Sequence, residues 1–239
     1  TLGKAKLKGF QIVVVDGGSS EEFRERVKEL GVLLHDEKES GMSSSRRQAF
    51  REISNMEGVK VIAWIEPEKL SIVQDCLPKA ALPILEGKAD IVVPKRDQEA
   101  FTTYPDYQVV YEQKANRLWN EILRKHGLLP QKADDLDVWF GPRFIRNDPA
   151  VLDLFLRSYN YDRIPPIAPL ASNEVERKKN ERELGQIYNP ELWPDATFLP
   201  IVNALHEGLR VKSLPVHYHH AQKQTANEKD SKDFRIVAE

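Results

Sequence analysis

Four short runs of β-branched and aliphatic residues frame this chain. They are residues 10–15 (FQIVVV), 32–34 (VLL), 59–65 (VKVIAWI) and 90–93 (DIVV). Between them, apolar residues recur with helical spacing. Phe23, Val27 and Leu30 fall at i, i+4 and i+7, with Ser19 and Glu22 placed as a capping box and Gly31 as the stop. A small-residue loop at 41–45 precedes a helix at 46–53, and residues 78–85 read as another helix. Short strands alternating with amphipathic helices predict a parallel α/β sheet. In such a sheet the ligand lies outside the carboxyl ends of the strands. The polar residues which that rule gathers are Asp16, Ser19, Glu66, Glu68, Lys95 and Arg96.

The second half has a different texture. Tyr111, Ala115, Leu118, Trp119, Ile122 and Leu123 form a helical stripe, which residues 134–137 and Gly141-Pro142 interrupt. Residues 151–156 read as a short helix and 165–191 as a polar, mobile loop. Residues 196–209 read as a helix that tolerates Pro200 near its first turn, and 210–217 as a strand. No internal repeat is visible.

Composition removes several function classes. Thirty-five basic against 37 acidic residues give a net charge of −2, which argues against a generally basic nucleic-acid binder. The longest apolar runs are about five residues, whereas a membrane span needs roughly 20. The single cysteine, Cys76, excludes an intrachain disulfide and fits a reducing, cytoplasmic compartment. No secretory signal is visible. The chain opens at Thr1 without Met, so further residues upstream are expected.

Four segments carry residues suited to chemistry. Glu66-Pro67-Glu68 follows a strand, and two carboxylates there can hold a divalent cation that also grips a diphosphate. Taken alone, they fit a solvated helix start better. Asp16-Gly17-Gly18-Ser19-Ser20 lets backbone approach a ligand at a helix N-terminus, or is an ordinary strand–helix turn. Arg46-Arg47 present guanidinium forks that match phosphate oxygens, or line a solvated helix face. His217-Tyr218-His219-His220 ends a strand, with His217 and His219 on one face and His220 on the other; a metal-ligand role and a polar strand end are evenly matched.

The order of these segments is more specific than any of them. Strand-D-G-G-S-S, then G-x-x-x-x-R-R, then a strand with paired carboxylates, then A-D-I-V-V-P-K-R resembles family-2-type glycosyltransferases with the GT-A fold. Residues 137–146 (DVWFGPRFIR) resemble the acceptor-side motif of dolichyl-phosphate mannosyltransferase-like and glucosyl-3-phosphoglycerate synthase-like members. Residues 195–218 resemble the helix-then-strand that closes those enzymes. The resemblance spans roughly residues 10–220.

It implies an α/β fold with a mostly parallel, Rossmann-like central sheet. Residues 1–96 would be the nucleotide-sugar half and 97–239 the acceptor half. It implies hexosyl transfer from a nucleotide sugar, GDP-mannose or UDP-glucose, to a small polar or phosphate-bearing acceptor. Asp16, Gly17, Ser19, Arg46, Arg47 and Arg96 would meet the nucleotide or diphosphate. Glu66, Glu68 and His217 would hold Mg²⁺ or Mn²⁺, and Asp137 or Asp195 would serve the acceptor as base. A homodimer is left open. Three departures stand out: the family's opening strand is absent, its D-x-D metal motif reads E-P-E, and its R-N reads R-R. Two alternatives remain open, a glycosyltransferase-like binding domain without turnover and a nucleotidyltransferase. The second lacks its expected G-x-G-T-R-x-x-P-x-x-K motif here.

Overall fold

A computed structural model describes residues 1–159 and 198–220. Helix α1 (Leu2–Leu7) precedes strand β1 (Val13–Asp16). Helix α2 (Glu21–Glu29) follows, capped by Ser20, whose Oγ accepts from the Phe23 amide at 3.3 Å. The cap is therefore one residue later than the expected Ser19, whose amide turns back to Asp16 instead. Strand β2 (Leu33–Asp36) pairs in parallel with β1.

Helix α3 (Met42–Ser54) takes in the segment read as a small-residue loop. Gly41, with φ of 124°, is its N-cap, a conformation that favours glycine. The Ser44 and Ser45 hydroxyls donate to the Gly41 carbonyl at 2.8 and 3.0 Å, so the serines tie down the first turn. Strand β3 (Val61–Trp64) comes next, then a π-helical stretch (Ile72–Cys76) that runs into α4 (Leu77–Leu85). Strand β4 (Ile91–Arg96) is longer than expected, ending at Arg96. Helices α5 (Gln98–Phe101) and α6 (Asp106–Lys125) lead to β5 (Arg143–Arg146), then α7 (Pro149–Leu156). Helix α8 (Leu199–His206) and strand β6 (Val211–Val216) complete the described part. The segment read as a polar loop at 165–191 lies outside the described residues.

The sheet corrects the expectation of one mostly parallel sheet. Strands β1 and β2 form a separate pair, and the main sheet has the order β3-β5-β4-β6. Within it β4 and β6 are parallel, but β5 runs antiparallel to both β3 and β4. The reason is local. Sequence patterning read residues 134–142 as an interruption, yet they return the chain along the sheet edge and feed the four-residue β5 into it. The carboxyl ends of β3, β4 and β6 and the start of β5 thus share one edge.

Side-chain alternation builds a core on each face of this sheet. Val92 and Phe144 face Ile72, Val73, Ala80 and Ile84. Ile62, Ile91, Val93 and Ile145 face Phe50, Leu123, Val151, Leu154, Phe155 and Ile201. Helices therefore cover both faces, as a sheet with two apolar sides requires.

Asp90 clamps the opposite edge. Its buried carboxylate accepts from Arg210 Nη2 at 2.7 Å and Nε at 3.0 Å, and pairs with Arg146 Nη1 at 2.8 Å. The Arg210 hydrogen bonds, opposed by burial and helped by the Arg146 charge, hold the Asp90 carboxyl below its ordinary value. The clamp thus contributes stability above about pH 4 that is lost as pH falls through the depressed value. Both arginines are partly solvated, so the contribution is discounted. Asp90→Ala is expected to cost about 1–2 kcal/mol at neutral pH and to flatten the acid limb of the stability profile. Denaturant melts at several pH values check this, and an unchanged acid limb contradicts it.

Candidate functional site

Residues at the shared strand edge surround a cavity of about 670 Å³. Its walls include Trp64, Tyr104, Trp139, Phe140 and Phe198, and its polar groups are Arg46, Glu66, Glu68, Lys69, Arg96, Gln108, Glu112 and His220. Four residues singled out in the sequence meet here: Arg46, Glu66, Glu68 and Arg96.

Arg96 ends β4 and is buried, with a side chain 1% exposed. Its Nε donates to Asp137 Oδ2 at 2.7 Å and its Nη2 to Oδ1 at 2.8 Å, while its Nη1 pairs with Glu112. Phe101, Tyr104 and Phe140 surround the guanidinium at 4.6, 5.1 and 4.9 Å from their ring centroids. Asn116 of α6 adds a hydrogen bond to Asp137 at 2.7 Å. Burial alone pushes the Asp137 carboxyl up, but the Arg96 hydrogen bonds and charge, with Asn116, bring it below its ordinary value. Asp137 does not line the cavity, and both its oxygens are engaged. In this geometry it positions Arg96.

The Glu66-Pro67-Glu68 segment forms a turn. The Lys69 amide donates to the Glu66 carbonyl at 3.0 Å, the closure of a four-residue turn with proline at its second position. Such a turn brings its first and fourth side chains together. Lys69 Nζ lies 3.1 Å from Glu68 Oε1 and 3.8 Å from Glu66 Oε2. Lys69 is buried, and it faces the Phe140 and Tyr218 rings at 5.7 and 5.8 Å. Burial pulls its ammonium down, but Glu66, Tyr218 and Glu68 outweigh it and leave it above its ordinary value. Glu66 is pressed against Gly141, where an added Cβ would lie 1.6 Å from Glu66 Oε1. Only a residue without a side chain allows that approach.

Two more cations complete the balance. Arg46 of α3 is buried with its guanidinium 4.8 Å from the Trp64 ring centroid. Arg143 opens β5 and is 1% exposed, donating to the Pro142 and Val138 carbonyls at 2.7 Å each. Burial pushes Arg143 down to about 10, opposed by the charges of Asp137 and Glu66. Within this group Arg46, Lys69, Arg96 and Arg143 are matched by Glu66, Glu68, Glu112 and Asp137. The indole Nε1 atoms of Trp64 and Trp139 are buried with no hydrogen-bond partner among the described residues. Ligand oxygens in the cavity would satisfy such donors.

The other sequence candidates lie elsewhere. Asp16 is buried at the end of β1, where the Ser19 amide reaches its oxygens at 3.2 and 3.3 Å and Arg24 pairs with it. Arg24 also bonds Asp36 at 2.6 Å, bridging β1 and β2. Gly17 packs against Glu37, and Asp16, Gly17, Ser19 and Arg47 do not line the cavity. Lys95 is half-buried and likewise outside it. His217 is exposed, bonded through Nδ1 to Asp97 and through Nε2 to His219, each at 2.9 Å. β6 ends at Val216, and beyond it Tyr218 and His220 are buried while His219 is exposed; the His220 ring lies tilted against Tyr104 with centroids 4.3 Å apart. Asp195 lies outside the described residues.

The divalent ion that the resemblance implies needs Glu66, Glu68 and His217 to converge. They do not fit it as arranged: an ammonium lies between the two carboxylates and His217 faces Asp97. Among the described residues no three His, Cys, Asp or Glu side chains gather as metal ligands. Sequence reading missed Lys69, Trp64, Trp139 and Glu112, and in the histidine run it chose His217 rather than His220, the one that lines the cavity. The signal for Lys69 was present, since a proline at the second position of E-P-E-K foretells the turn that folds Lys69 back.

No protein-family model matches this chain. No curated protein matches it either. Among solved structures it is similar to glucosyl-3-phosphoglycerate synthase from Mycobacterium tuberculosis in complex with phosphoglyceric acid. The identity is 13% and the TM-score 0.41, over 95% of this chain and 66% of that one, just under two thirds of its length. Among the described residues no helix is long and apolar enough to cross a membrane.

Asp137→Asn removes one charge from a buried pair and leaves Arg96 with Glu112 alone. The expected cost is about 3–5 kcal/mol in urea or guanidinium melts. A loss below about 1 kcal/mol, the range of exposed pairs, contradicts the anchoring role.

Proposed function

We propose that this chain is a glycosyltransferase, moving a sugar from a nucleotide sugar to a small polar or phosphate-bearing acceptor. The observation that carries the reading is the cavity at the strand carboxyl edge, where Arg46, Glu66, Glu68 and Arg96 meet under aromatic walls. Aromatic faces pack on the apolar faces of a sugar ring, and the paired charges supply donors and acceptors for its hydroxyls. The collinear motifs from residue 10 to residue 220 support the same reading.

In this reaction the bond between the sugar C1 and the diphosphate oxygen breaks, and its electron pair leaves with the diphosphate. Arg46 neutralises that developing charge, while Lys69 offsets the Glu66 and Glu68 carboxylates that would otherwise repel it. An acceptor oxygen forms the new bond to C1. Asp137 is committed to Arg96, so Asp195 is the candidate to take the acceptor proton. An acceptor already ionised at the attacking oxygen needs no base. UDP-glucose and GDP-mannose are the donors to try first, and glycerate and phosphoglycerate the acceptors.

The internal pairing of every carboxylate at the cavity favours one second reading, a sugar-nucleotide binding domain without turnover. Binding and turnover separate the two. UDP, GDP and their sugars are expected to raise the melting temperature selectively, by mass action on the native state. Arg46→Ala should weaken the bound nucleotide roughly tenfold or more in calorimetry. Transfer to an acceptor, read by mass spectrometry, then supports the enzyme, and selective binding without transfer supports the second reading. No shift with any nucleotide or nucleotide sugar would overturn both.

A further inference from the structure

We propose that Lys69 is the resident cation of this cavity, holding the Glu66 and Glu68 carboxylates in place of a divalent metal ion. Three observations place it there. The E-P-E-K turn closes through the Lys69 amide and the Glu66 carbonyl at 3.0 Å, which fixes the lysine opposite the carboxylates. The ammonium lies 3.1 Å from Glu68 and 3.8 Å from Glu66. Glu66 Oε2 is buried with no hydrogen-bond partner among the described residues, and Lys69 supplies its counter-charge. The Lys69 side chain is 11% exposed and roofed by Phe140 and Tyr218, so it does not swing freely into water.

A Mg²⁺ or Mn²⁺ ion bound by these carboxylates would have to expel the ammonium into an aromatic wall. Two like charges cannot share the two carboxylates at such distances without a large repulsive cost. The site is therefore closed to divalent ions in the wild-type chain. Any anionic or hydroxylated ligand at this edge meets an ammonium that is part of the fold. The consequence for a nucleotide-sugar donor, that it binds without metal, rests on the glycosyl-transfer reading. The occupation of the carboxylates by Lys69 does not.

The test begins with Mn²⁺ alone, titrated into the millimolar range and followed by the electron paramagnetic resonance signal of the free ion. The wild-type chain is expected to show no Mn²⁺ site that Glu68→Gln removes. Lys69→Ala frees both carboxylates and is expected to gain one Mn²⁺ site, roughly tenfold or more tighter than any wild-type binding. The double variant with Glu68→Gln should lose it again. A wild-type Mn²⁺ site abolished by Glu68→Gln overturns the proposal, and so does a folded Lys69→Ala variant that gains no site. Should Lys69→Ala not fold, the wild-type and Glu68→Gln titrations decide alone. A second arm measures UDP and GDP binding in EDTA and in Mn²⁺. Equal affinity supports the proposal, and binding only with Mn²⁺ overturns it. If neither nucleotide binds under any condition, the glycosyl-transfer reading fails while the Mn²⁺ arm still judges Lys69.

Discussion

The buried pair between Arg96 and Asp137 organises the cavity edge of this fold. A guanidinium with a side chain 1% exposed is tolerable only with its charge met and its donors filled. Asp137, Glu112 and three aromatic faces do this together. Phe101 comes from α5, Tyr104 from the turn after it, Glu112 from α6, and Asp137 and Phe140 from the loop that feeds β5. The pair therefore ties α6 and the incoming β5 to the end of β4. Tyr104, Glu112 and Phe140, which line the cavity, all contact Arg96.

The cavity repeats the same logic with Lys69. Each of its carboxylates, Glu66, Glu68 and Glu112, already faces a cation of the protein, Lys69 or Arg96. Such a surface does not attract a bare divalent ion, and it presents hydrogen-bonding groups already held in place. Preorganised groups that need no rearrangement are the kind that stabilise charge developing during a transfer. Among the described residues the indole donors of Trp64 and Trp139 have no hydrogen-bond partner, and both residues line the cavity, where a ligand's oxygens would be received.

Much of the framework was legible in the sequence because strands and helices here obey their periods. The runs at 10–15, 59–65 and 90–93 hold all but the last residue of β1, the whole of β3 and the first part of β4, and the stripe from Tyr111 to Leu123 lies within α6. Strand β5 was not legible. Its four residues, RFIR, carry arginine at both ends, and its burial comes from partners far away in sequence. The antiparallel insertion it makes was invisible for the same reason. At the site, residue types were legible but pairings were not. Asp16 reads as a ligand contact until Arg24, eight residues on, is seen to close on it. Asp137 reads as a base until Arg96 is brought beside it by the sheet. His217 and His220 both lie past the end of β6, and only the fold shows that His220 turns in against Tyr104 while His217 stays exposed.

The central claim is that this edge carries its own cation. The most direct measurement is a crystal structure grown with Mn²⁺ and a nucleotide sugar, collected at a wavelength where manganese scatters anomalously. The account predicts Lys69 Nζ in hydrogen-bond contact with Glu68 and no anomalous peak between Glu66 and Glu68. A manganese peak on those carboxylates, with Lys69 turned away, would contradict it.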